Sequence, residues 1–134
     1  MQNVIAFFVS LIAFAAIDFG WLSVMGDRLY RPVIGDLMAS KVQILPAVLF
    51  YLIYWIGVTA LATAPALKEA SPGRAASTAA IMALVAYATY DLTNQATLKA
   101  WAWKLTIADL LWGVFATTTA TLIGFFVARA LIKS

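Results

Sequence analysis

The chain has 134 residues, of which 64% are hydrophobic and 11% charged, with a formal net charge of +3. Typical soluble chains carry roughly 45–50% apolar and 25% charged residues, so the composition excludes an ordinary soluble domain. Cys and His are both absent, which excludes disulfides, thiolate chemistry, haem ligation through His, and most zinc and copper sites.

Any general acid or base must therefore be Asp, Glu, Lys or Tyr. The basic residues form no run and do not interleave with aromatics, so nucleic acid is not an expected partner. The length fits a single domain over residues 1–134. Four long apolar runs carry the hydrophobic excess and predict four transmembrane helices in an antiparallel, all-α bundle.

Span 1 covers about residues 4–24. It lacks a basic leader and is interrupted by Asp18, so it reads as a retained span rather than a signal peptide. Asp18 and Trp21 stand three apart and share a helix face, with Phe14 one turn earlier. Residues 25–45 carry Gly26, Asp27, Arg28, Arg31, Pro32, Gly35 and Asp36, an interfacial composition. Leu29, Val33, Leu37 and Met38 recur at helical spacing. Two readings stay open, a short amphipathic helix lying on the membrane with Tyr30 at headgroup level, or a solvated loop.

Span 2 covers about residues 44–64, with Pro46 in its first turn, Tyr51, Tyr54 and Trp55 in its first half, and Pro65 ending the run. Gly57 would permit close approach of a neighbouring helix. The breaker cluster KEASPGR at 68–74 makes spans 2 and 3 antiparallel neighbours. Span 3, about residues 75–98, opens with alanines at packing distance and turns polar in its second half. Tyr87, Asp91 and Asn94 form one stripe, and Tyr90, Asn94 and Thr97 an overlapping one. The turn holding Lys99, Trp101, Trp103 and Lys104 reads as a headgroup boundary. Span 4, about residues 105–128, begins with Asp109, Trp112 and Gly113. It carries a small-residue face through Thr117, Ala120, Thr121 and Gly124. Basic residues divide evenly between the two sides, so the positive-inside rule sets no orientation.

Alternating spans bring the end of span 1, the end of span 3 and the start of span 4 to one side. Asp18, Asp91 and Asp109 then lie roughly 5–12 Å from the midplane on that side. A charge at the bilayer centre costs about 2.5–3.5 kcal/mol on insertion scales, so acids within spans mark a functional site by default. Single polar residues also serve as interhelical glue, which is the plainer explanation for any one of them. Three carboxyls at one depth exceed what glue requires. They would repel unless protons or a shared cation offset the charge.

Asp18-x-x-Trp21 and Asp109-x-x-Trp112 repeat a four-residue pattern on antiparallel spans. The pattern is too short to establish an inverted repeat, and the rest of the two spans does not align.

The stretches TYDLTN at 89–94 and ADLLWG at 108–113, with Trp101 between them, resemble the domain of unknown function 2177 family. Asp18 with Trp21, and FYLIY at 50–54 after Pro46, fit the same pattern. The resemblance covers essentially the whole chain. It implies a small bacterial four-span protein of the inner (cytoplasmic) membrane, and it implies no reaction.

The candidate acid–base residues are Asp91, Asp109 and Asp18. The candidate ligand-binding residues are Asn94, Tyr87, Tyr90, Tyr54, Tyr51, Trp21, Trp112 and Thr97. No metal ligand set or cofactor is assigned. Three functions follow in order of preference. The first is a site for a lipid headgroup or a small polar or cationic ligand, including a lipid-modifying enzyme. The second is a non-catalytic accessory or assembly subunit, docking by its small-residue faces to a larger membrane complex or to copies of itself. The third is proton or cation transport through the aspartates, with Mg²⁺ or Ca²⁺ the natural metal for oxygen ligands. Membrane lipids are expected partners throughout.

Overall fold

The computed structural model describes residues 1–133. Four helices form the bundle: α1 (Gln2–Leu37), α2 (Ile44–Lys68), α3 (Pro72–Thr97) and α4 (Trp103–Leu131). All four are long and apolar enough to cross a membrane, and no strand occurs among the described residues. The all-α, four-span bundle expected from the sequence is the observed fold.

The residues between spans 1 and 2 are helical to Leu37 and joined to span 1 rather than set apart from it. At 1.5 Å rise, the 36 residues of α1 reach about 54 Å, well beyond the ~30 Å hydrocarbon core. Its last turns therefore leave the apolar layer, which accommodates Asp27, Arg28 and Arg31 there. Pro32 is tolerated because it sits just after a π turn at Gly26–Tyr30, at the start of the next α-helical stretch. Pro65 acts in the same way. It lies just after a second π turn, Thr59–Thr63, and the helix continues to Lys68 instead of stopping at the proline. A widened turn moves the carbonyl four residues back away from the proline ring, which removes the clash that would end the helix.

α2 gives way to α3 almost at once. Ser71 caps α3 by accepting the Arg74 backbone N–H at 3.2 Å, and Pro72 occupies its first position. The α3–α4 turn is tied by side chains. Trp101 Nε1 donates to Thr106 Oγ1 (2.9 Å), Thr106 donates to Gln95 Oε1 (2.9 Å), and Gln95 Nε2 donates to the Trp101 carbonyl (3.1 Å). Trp101 is thereby buried rather than spread at the membrane boundary, whereas Trp103 stays exposed.

The bundle is centred on α4, which packs along α1 and α3. Helices in lipid gain little from burying apolar surface against each other, so close approach decides the packing. Gly113, Thr117, Ala120, Thr121 and Gly124 are all buried inside the chain, as are Ala75, Ala79 and Ala83 of α3. A Cβ on Gly124 would sit 2.0 Å from Ser10 Oγ and 2.7 Å from the Ala6 carbonyl, and one on Gly113 would overlap the Tyr87 ring. Gly57 needs no such approach, because a Cβ there would meet only Met82 Cε at 3.9 Å.

Ala6, Ala66, Leu67, Ala75, Phe125 and Ala128 close one end of the bundle with apolar side chains. Phe14, Trp55, Val58 and Ala120 form the central core.

Gly124→Ala should lower stability by about 1–3 kcal/mol through overpacking against α1 backbone. Gly57→Ala should stay within about 0.5 kcal/mol. Reversible unfolding of the detergent-solubilised protein by sodium dodecyl sulfate measures both, and equal losses at the two glycines would contradict the packing described.

Candidate functional site

The polar end of the bundle encloses a partly open cavity of about 500 Å³. Asp18, Tyr87, Tyr90, Asp109 and Trp112 contribute to its wall from three helices. Leu22, Tyr30, Phe50 and Ala86 complete it.

Each aspartate of the wall is held by a tyrosine and a tryptophan. Asp18 lies half-way into the bundle from α1. Tyr51 Oη donates to its Oδ2 at 2.6 Å, and Trp112 Nε1 donates to its Oδ1 at 3.0 Å. Asp109, 7% exposed, accepts the Tyr30 hydroxyl on Oδ1 at 2.5 Å. Trp21 Nε1 donates in turn to Tyr30 Oη at 2.9 Å. The Trp21 and Trp112 rings stack, with centroids 4.5 Å apart and planes 7° from parallel. The two Asp-x-x-Trp segments are thus crossed. Trp112 serves the aspartate of α1 directly, and Trp21 serves the aspartate of α4 through Tyr30. The short repeat that carried little weight in the sequence corresponds to one interlocked unit.

Tyr30 could not be placed here from helical phase. It lies nine residues after Trp21, about two and a half turns of a regular α-helix, and would face the opposite way. The π turn over Gly26–Tyr30 adds a residue to one turn and rotates the hydroxyl back towards α4. Leu22 carried a usable signal, since it stands one turn from Asp18 of the cavity wall.

Asp91 is 1% exposed and lies behind the cavity wall rather than on it. Neither of its carboxyl oxygens has a hydrogen-bond partner.

Tyr54 packs against the wall residue Tyr87 without lining the cavity itself. Its hydroxyl shares a 2.7 Å hydrogen bond with Thr117 Oγ1, and its ring meets Tyr87 edge-on at 6.5 Å. Asn94 is partly buried and does not line the cavity. Thr97 is exposed and donates to its own helix, to the Thr93 carbonyl at 2.8 Å. The structure thus draws together Asp18, Asp109, Tyr51, Tyr54, Tyr87, Tyr90, Trp21 and Trp112, sets Asp91 behind them, and leaves Asn94 and Thr97 outside. Among the described residues no three acidic side chains approach closely enough to hold a metal ion.

These features define a multi-pass membrane protein whose intramembrane aspartates face a walled cavity. The chain belongs to the predicted membrane protein family DUF2177, whose model matches residues 3–126. No curated protein and no solved structure matches it.

Tyr30→Phe leaves Asp109 Oδ1 and the Trp21 indole without a partner, at an expected cost of about 1–3 kcal/mol. Combined with Asp109→Asn the losses should be non-additive by about 0.5–3 kcal/mol. A double-mutant cycle on detergent unfolding tests the link, and simple additivity would count against it.

Proposed function

We propose that this cavity binds a ligand with an ammonium or similar hydrogen-bond-donating group, the headgroup of a membrane lipid being the foremost candidate. The observation that carries this reading is the pair of carboxylates, Asp18 and Asp109, on the wall of a 500 Å³ cavity inside apolar helices. That volume lies in the range of small-molecule sites. Both acids would complement a cation, and the indole of Trp112 offers it a π face.

The other readings draw less support. A docking subunit would need its small-residue faces free, and those of α3 and α4 are spent inside the chain. A through-membrane path would need a continuous polar route, and the far end offers only separate buried hydroxyls, Ser10, Thr63 and Thr121, beside the apolar Ala6–Phe125 cluster. A lipid-modifying activity is a finer version of the binding reading, with Asp109 as acid or base and Asp91 as its buried neighbour. Family resemblance favours the bacterial inner membrane as its setting.

Mass spectrometry of the intact protein, released from mild detergent after incubation with phosphatidylethanolamine or phosphatidylglycerol, tests the proposal. Preferential retention of phosphatidylethanolamine is expected. Asp18→Asn and Asp109→Asn should each weaken it about tenfold or more, since a hydrogen bond to a charged group contributes about 1.5–3 kcal/mol. Equal retention of both lipids, unchanged in the variants, would overturn it.

A further inference from the structure

Contacts brace the cavity between α1 and α4, α1 and α2, and α3 and α4, while Leu22 of α1, which also lines it, stays 47% exposed. The α1–α4 side is closed by the stacked Trp21 and Trp112 rings. The α1–α2 side is closed by the Tyr51–Asp18 hydrogen bond and by Phe14, whose ring lies 5.6 Å from that of Tyr51. The α3–α4 side is closed by Tyr87 lying over Gly113. Towards the water, Leu29, Trp101 and Leu105 form a buried apolar cap with Trp21, Met25 and Tyr30 packed against it.

The α2–α3 side is different. The two helices meet deeper in the bundle, where Tyr54 and Tyr87 touch. Beyond that contact, Phe50 of α2 and Ala86 and Tyr90 of α3 line the same cavity from opposite sides. All three are exposed, Phe50 at 48% and Tyr90 at 54%. The neighbouring outward residues are Leu49, Ile53, Val85 and Leu92, an apolar surface that belongs in acyl chains. The open side therefore faces the bilayer.

We propose that a membrane lipid with an ammonium headgroup enters this cavity sideways, from the bilayer, through the gap between α2 and α3. The headgroup comes to rest against Asp18 and Asp109, and an acyl chain remains in the gap against Phe50, Leu22 and Ala86. This rests on the ligand-binding reading above and adds the substrate class and its route. Charge complementarity selects the head, and the apolar mouth selects a chain. A free small amine shares the head chemistry and lacks the chain, so the two can be told apart.

The absence of native cysteine allows a clean test. In Phe50→Cys/Ala86→Cys, a short bifunctional thiol reagent should strap the mouth. The same double variant is compared with and without the strap, in lipid nanodiscs containing phosphatidylethanolamine, by mass spectrometry of retained lipid. Ethylamine binding to each form is followed by thermal shift. The strap applied before loading should cut lipid retention at least about tenfold and leave the ethylamine shift in place. Applied after loading, it should trap the lipid against detergent washing. Ala86→Trp, which narrows the mouth without chemistry, should reproduce the loss of lipid. Undiminished lipid loading in the strapped protein and in Ala86→Trp would overturn the lateral route while leaving the binding site intact. Failure of the native protein to take either phosphatidylethanolamine or ethylamine would instead remove the binding reading, and the route with it.

Discussion

The structure depends on satisfying two carboxylates that lie within membrane-spanning helices. A carboxylate in hydrocarbon has no water to accept hydrogen bonds from, so protein donors must replace it. Tyrosine and tryptophan suit this task, because each carries one donor at the end of a large apolar ring. Asp18 takes one of each directly, and Asp109 takes a tyrosine backed by a tryptophan. The same side chains then form the cavity wall. What secures the acids also builds the place where a ligand can reach them.

This constraint explains features that would otherwise look like defects. The π turn in α1 weakens regular helical bonding, yet it aims Tyr30 at Asp109. Gly113 gives up helix propensity so that the Tyr87 ring can lie over α4 and close one side of the cavity. Asp91 is the one acid of the three whose carboxyl oxygens find no hydrogen-bond partner. It is also the one sealed away from the opening. The cavity thus separates two acids on its wall from a third behind it.

The bundle is correspondingly asymmetric. One end is filled mainly with alanine, leucine and phenylalanine. The other end spends its large aromatic residues on hydrogen bonds and leaves a volume unfilled. α2 bridges the two. Its second half packs in the core through Trp55 and Val58, while its first half, up to Ile53, is mostly exposed and stands apart from α3. A chain that needed only a stable bundle would have closed that gap.

Hydropathy alone determined that four helices cross a membrane, because the cost of exposing or burying backbone and side chains in lipid adds up along each run regardless of neighbours. That Asp18 and Asp109 meet at one end of the bundle followed as well, since alternating helix directions leave little choice. Which acid faces the cavity did not follow. That depends on the rotation of each helix about its axis, and a rotation is set by contacts such as Gly124 against Ser10, not by any single span. Nor could the stripes of α3 reveal that Asn94 and Thr97 would be left outside while Asp91 turned inward. Tyr30 shows the limit most plainly. Regular spacing points it away from Trp21, and only a widened turn, stabilised by partners 9 and 79 residues distant, brings it back.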